Sequence, residues 1–266
     1  MAAKKRTSRE GAKKKRVRIG IFSLSACAGC QFQVLFSDAL IKFSEDYELI
    51  NFELAKERNE DHEVDIAFVE GCVALSTEIT KLKKIRKNAK MLVALGTCAT
   101  YGGIPAIRDF YKGWEIERIV YPKGLEKTSE PIKASPIDEY VQVDHYLYGC
   151  PIDIVDFTNA FSQLLKGIIP KKSAAPVCRE CIAKGNVCLL REYGLPCLGP
   201  VTHCGCDAVC TTNGVICEGC RGPIEEGNVD ALINLLERTH PKEEIDRMLV
   251  KFAGLSKQFR KHISEK

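Results

Sequence analysis

No stretch of this 266-residue sequence is long and apolar enough to span a bilayer. No secretory apolar core follows the start, and no twin-arginine export signal is present. These absences predict a cytoplasmic protein with no direct membrane insertion. Excess positive charge is also missing from the body of the chain. Residues 1–16 carry eight Lys/Arg against one Glu, whereas the other 250 carry 31 Lys/Arg against 34 Asp/Glu. The net charge of +4 therefore lies in the leader, and the slightly acidic remainder predicts no nucleic-acid-binding domain. The leader itself reads as a basic, disordered, solvated tail; binding of RNA or an acidic partner is its functional alternative. Cysteine, by contrast, is abundant, with 14 residues. In an oxidising compartment these would suggest disulfides. In a reducing one, short thiol spacings point to metal.

Apolar patterning predicts a parallel sheet. Residues 17–22, 47–54, 64–69, 91–95 and 140–144 read as strands, alternating with helices at about 32–43, 77–87 and 152–166. Strands separated by helices imply a doubly wound α/β fold of flavodoxin type over 17–170. The proline-bearing stretch 103–138 reads as an elaborated crossover. Beyond a linker from Pro170 to Pro176, nine cysteines fall within the 43 residues from Cys178 to Cys220. That loop-rich segment, within 171–228, lacks the periodicity to build its own apolar core. Asn228 reads as an N-cap and Pro241 as a helix opener, which makes 229–266 a pair of C-terminal helices.

A doubly wound sheet binds ligands beyond the carboxyl ends of its strands. The loops there contain Cys27 and Cys30, Glu70 and Cys72, Cys98, and Cys150, each flanked by glycine. Four thiolates suffice for one 4Fe–4S site, and five are on offer. Buried structural cysteines and a zinc site are the alternatives. Within the C-terminal segment, spacing divides the thiols into Cys178, Cys181, Cys188 and Cys197, and Cys206, Cys210, Cys217 and Cys220, with Cys204 left over. C-x-x-C pairs alone would also suit a zinc ribbon. A third thiolate site in the same chain favours iron, because a series of clusters makes a wire for single electrons.

C-A-G-C at 27–30, V-E-G at 69–71, G-T-C-A-T-Y-G-G at 96–103, G-C-P at 149–151, C-L-G-P at 197–200 and C-E-G-C at 217–220 occur together. In this combination the chain resembles the small subunit of nickel–iron hydrogenases over residues 17–224. The resemblance sets Cys72 aside. It implies a proximal 4Fe–4S cluster on Cys27, Cys30, Cys98 and Cys150. It implies a medial cluster on Cys206, Cys210, Cys217 and Cys220, and a distal one on Cys178, Cys181, Cys188 and Cys197. Cys178 and Cys210 stand where many periplasmic members have His and Pro. Four thiols at each C-terminal site look like the cytoplasmic groups, such as archaeal sulfhydrogenase delta and methyl-viologen- or F420-linked hydrogenase gamma subunits. Gly29 and Gly103 stand where oxygen-tolerant members carry extra cysteines, so no special proximal cluster is expected.

The resemblance implies an oxidoreductase subunit serving reversible hydrogen oxidation. The nickel–iron site belongs to a partner large subunit, so no catalytic residue is expected in this chain. Electrons would leave toward a flavin- or iron–sulfur-containing acceptor subunit. Glu70 is a candidate for proton movement, with a carboxylate bonding backbone N–H groups as the plainer reading. The competing functions are a complex-I-like quinone-side subunit, a zinc-binding adaptor and a self-contained flavoprotein. C-A-G-C and the long C-terminal segment argue against the first, and the loop sequence ACAGCQ against the last.

Overall fold

A computed structural model describes residues 15–60, 62–123 and 131–264. Nearly all of the basic leader lies outside the described residues. The strands are β1 (Val17–Ser23), β2 (Tyr47–Phe52), β3 (Val64–Glu70), β4 (Val73–Leu75), β5 (Ala89–Leu95), β6 (Pro131–Ser135) and β7 (His145–Leu147). Five of them form one sheet in the order β2-β1-β3-β5-β7, with every pair parallel. The order reverses at β1/β3, as the flavodoxin-like winding requires.

The sheet is buried on both faces, which explains why its strands read as continuous apolar runs rather than alternating ones. One face carries Ile19, Ile21, Phe68 and Val93 against Phe157 and Phe161 of the helix Ile154–Leu164. The other packs Ala67, Val69 and Leu92 against Leu82 and Ile85 of the helix Ser76–Asn88. The expected α/β architecture is therefore present, with two local corrections. The segment 140–144 is not a strand; β7 begins at His145. The Asp144 carboxylate accepts from Leu92 N–H (2.7 Å) and Arg86 Nη1 (2.6 Å). The chain is thus tied to β5 before it enters the sheet. The helix expected at 32–43 is two helices, Gly29–Phe36 and Ala39–Lys42. Ser37 breaks it by turning extended and donating its hydroxyl to Val34 O (2.7 Å).

The crossover contains a 3-10 helix (Ile104–Phe110), a helix (Gly113–Val120) and β6, which pairs antiparallel with β4. At the C-terminus, Asn228 caps Val229–Leu236 by accepting from Ala231 N–H (2.9 Å), and Lys242–Ala253 follows Pro241. Leu198 and Val201 of the cysteine-rich segment share an apolar cluster with these helices. The segment thus obtains from its neighbours the core it lacks. Among the described residues no helix is long and apolar enough to cross a membrane.

Candidate iron–sulfur sites

The loops after β1, β3, β5 and β7 meet at one edge of the sheet. Cys30 lies in the first turn of the helix Gly29–Phe36, and its N–H donates to Glu70 Oε1 (3.0 Å) at the end of β3. Glu70 Oε2 accepts from the Gln31 side chain (2.8 Å). This carboxylate is only 2% exposed and has both oxygens engaged, so it acts as a bracket between two of the loops. Thr97 ties the other two: its N–H donates to Gly149 O (2.9 Å), and its hydroxyl accepts from Gly149 N–H (3.2 Å). The same hydroxyl donates to the carbonyl of Cys220, which joins the sheet edge to the C-terminal segment. Gly96, with φ at +84°, brings β5 against Cys30; any Cβ here would overlap the Cys30 sulfur.

Burial pushes the thiols of Cys30, Cys98 and Cys150 up, and neighbouring thiols add to it. Burial raises Cys30, with Glu70, Cys98 and Cys150 contributing. Cys98 is pushed up to about 12 by burial, then by Cys150, Cys72 and Cys27. Cys150 rises to about 11 through burial, then Cys220 and Cys27. The structure therefore brings Cys27, Cys30, Cys98 and Cys150 into one electrostatic neighbourhood. Cys72 adjoins it through Cys98. Its sulfur, fully buried, donates to Ser25 O (3.6 Å), and it packs among Ala74, Ala106 and Ala134.

A second group forms around Cys178, which burial lifts to about 11, followed by Cys197, Cys181 and Cys188. A Cβ placed on Gly199 would lie 3.4 Å from both Cys178 Sγ and Cys197 Sγ, so these two sulfurs flank one small space. The third group links Cys206 to Cys220, Cys220 to Cys210, and Cys217 to Cys220. The third group adjoins both of the others. Cys150 of the first neighbours Cys220 of the third. Cys217 N–H of the third donates to Cys197 Sγ of the second (3.3 Å). Cys204 instead donates to Ser173 Oγ (3.1 Å). Among the described residues no three Cys, His, Asp or Glu side chains close tightly enough to grip one ion.

Two positioning residues escape a reading based on cysteine spacing. Glu180, between Cys178 and Cys181, accepts from Gly205 N–H (2.7 Å) and Ala208 N–H (3.2 Å). It thereby holds the loop in which Asp207 and Ala208 take left-handed backbone angles. Arg221, directly after Cys220, is 4% exposed and donates to Tyr148 O (2.9 Å) and Asp156 Oδ2 (2.7 Å). The available signal was charge: each lies beside a predicted ligand.

All-thiol donor sets, with glycine leaving room against the sulfurs, fit iron–sulfur clusters. Known proteins point the same way. Residues 27–164 match the family model of the NADH ubiquinone oxidoreductase 20 Kd subunit. The chain is 36% identical over 241 residues to sulfhydrogenase 2 subunit delta of Pyrococcus furiosus, covering 89% of this chain and 99% of that one. It is 32% identical over 240 residues to a vhu subunit of the F420-non-reducing hydrogenase of Methanocaldococcus jannaschii, covering 79% and 83%. A chain of a crystallised NAD+-reducing [NiFe]-hydrogenase aligns with a TM-score of 0.52 at 29% identity, over 60% of this chain and 96% of that one. The chain belongs to the NADH ubiquinone oxidoreductase 20 Kd subunit family, an oxidoreductase-subunit family, and within it to the relatives that are hydrogenase small subunits.

Proposed function

We propose that this chain is the electron-transfer small subunit of a cytoplasmic nickel–iron hydrogenase, with three 4Fe–4S clusters on its twelve grouped cysteines. The observation that carries the proposal is that the third thiol group adjoins both others, at the Thr97–Cys220 hydrogen bond and at Cys217–Cys197. When bound, the clusters supply the one-electron steps that carry charge from a partner's nickel–iron site toward an acceptor subunit containing flavin or iron–sulfur centres. As the resemblance implies, Cys27, Cys30, Cys98 and Cys150 are the proximal ligands. Cys206, Cys210, Cys217 and Cys220 are medial, and Cys178, Cys181, Cys188 and Cys197 are distal.

The chain's own residues position and shield these sites. Glu70 and Thr97 fix the four sheet-edge loops to one another. Glu180 holds the backbone around Cys206. Cys30, Cys197 and Cys217 are buried, which excludes water from one side of each group. Buried thiols must lose their protons to become ligands, so loading of iron releases protons.

The test is an anaerobic purification of the complex from its native source. About 12 iron atoms per copy of this chain are expected, four for each cluster, with a nickel-containing subunit attached. Hydrogen-dependent dye reduction should require that partner. Iron near four atoms per copy would favour the single-cluster quinone-side reading, and stoichiometric zinc the adaptor reading.

A further inference from the structure

Arg221 is almost wholly buried, and its guanidinium is held in place from several sides. Nη1 donates to Tyr148 O, two residues before Cys150, and Nη2 donates to Asp156. The guanidinium also lies against the backbone just before Cys206. A Cβ on Gly205 would lie 3.0 Å from its central carbon, and φ there is +112°. Only glycine adopts that angle freely and leaves that space. Arg221 itself follows Cys220. The cation therefore lies against the loop that carries Cys206, on a side chain that directly follows Cys220, and both cysteines belong to the middle thiol group. Its Nε is buried without a hydrogen-bond partner. A buried charge with one donor unspent is costly unless something anionic compensates it. Asp156 supplies one such charge, yet its side chain is 36% exposed and partly screened by water.

We propose that Arg221 sets the reduction potential of the middle iron–sulfur site, holding it above the value its four thiolates alone would give. The inference rests on the cluster assignment above. Each one-electron reduction adds a unit of negative charge to a site that is already anionic. A fixed guanidinium in a desolvated position favours the reduced form. Arginine suits the task because it stays protonated at any working pH and its planar fork fixes the distance. Asp156, its ion-pair partner, opposes it.

The test uses the purified hydrogenase complex carrying Arg221→Gln, Arg221→Lys or Asp156→Asn, each titrated with dithionite under electron paramagnetic resonance, with iron counted. Arg221→Gln should lower one cluster midpoint so that its reduction equilibrium falls about tenfold, or about 59 mV for one electron. Arg221→Lys keeps the charge and should recover most of that shift. Asp156→Asn should move the same midpoint upward, by less. A brace without electrostatic effect would not move the two partners' variants in opposite directions. Unchanged midpoints with full iron in Arg221→Gln would overturn the proposal. Equal iron loss in the Gln and Lys variants would also overturn it, by making Arg221 a structural brace. Wild-type complex far short of about 12 iron atoms per chain would sink the cluster assignment itself, a failure visible before any variant is made.

Discussion

At the sheet edge, four thiols take their positions from strands that two apolar clusters already fix. Between Cys178 and Cys220, eight grouped thiols sit on short helices and loops. The small cluster beneath them is itself half cysteine: Val177, Ala208, Cys197 and Cys217. Of the four sheet-edge thiols only Cys30 belongs to a core cluster, where it is one cysteine among many apolar side chains. In the second region, Cys197 and Cys217 make up half of the small core. Where a fold supplies the frame, a metal site can be drawn from loops distant in sequence. Where it does not, the thiols lie close in sequence, and the frame comes from neighbouring helices and from carboxylates that tie loop backbone. Glu180 is the visible device, since one carboxylate satisfies two backbone N–H groups of a loop in left-handed conformation.

Two perturbations should separate the regions. Phe161→Ala opens a cavity beneath the sheet, where Phe161 meets Phe157, Phe68 and Tyr47 at ring separations of 5.4 to 6.0 Å. It should cost about 3–5 kcal/mol of thermal stability. At permissive temperature the iron on the C-terminal groups should be retained, as metal analysis would show. Removing iron with a chelator under reducing conditions should do the reverse. Amide exchange across 177–220 should accelerate about 100-fold, a local loss of ~2.7 kcal/mol. β1, β3 and β5 should remain protected. Equal acceleration in both regions would end the distinction between a framed and an unframed site.

The difference also governs how legible each region was. Four of the five strands and the capped C-terminal helices were readable because burial on both sheet faces imposes runs of Val, Ile and Leu. The segment 140–144 misled because its alternation suits a strand, while Asp144 ties it to β5 by a side-chain bond that no periodicity records. The grouping of cysteines after the strands was readable because the topology of a doubly wound sheet puts its loops at one edge. Charge beside a cysteine marked Glu180 and Arg221, but what they and Thr97 hold was not readable. Their roles come from contacts across 25 to 123 residues of sequence, and each residue type is ordinary alone.

Within the middle group, Cys210 is an exposed thiol, whereas Cys217 is buried. Cys210→Pro should remove one ligand and about one iron of roughly 12, leaving a three-iron cluster on Cys206, Cys217 and Cys220. The oxidised complex should then show a new paramagnetic signal, and low-potential acceptors should be reduced more slowly. Retention of all iron would exclude Cys210 as a ligand and bring Cys204 forward.

A milder effect follows from pH. Thiols ordinarily ionise near 9, but burial pushes Cys150, Cys178 and Cys206 up to about 11. Between those values the folded, iron-free chain binds more protons than the unfolded one. The stability contributed by these thiols is complete below pH 9 and is lost as pH rises through about 11. Melting of the chelated, reduced chain should therefore fall between pH 8 and 10.5. The loaded chain should barely respond in this window, because its ligands are already thiolates.

The smallest expected effect concerns Glu70, where the sheet edge is best framed. Its two oxygens accept from Cys30 N–H and from the Gln31 amide, and the Gln31 side-chain oxygen has no partner. Glu70→Gln retains one carbonyl oxygen for Cys30 and presents an NH2 to Gln31. A half-turn of the Gln31 amide then offers its idle oxygen to that NH2, so both contacts survive. The variant should keep full iron and hydrogen-dependent dye reduction within a few-fold of wild type. Its proximal midpoint should shift upward, because a negative charge that bears on Cys30 and Cys150 has gone. Glu70→Ala, which strands the buried Cys30 N–H, should cost about 1–3 kcal/mol and lose proximal iron. A collapse of hydrogen turnover in Glu70→Gln at full iron content would instead make this carboxylate a proton carrier, with its bracket role secondary.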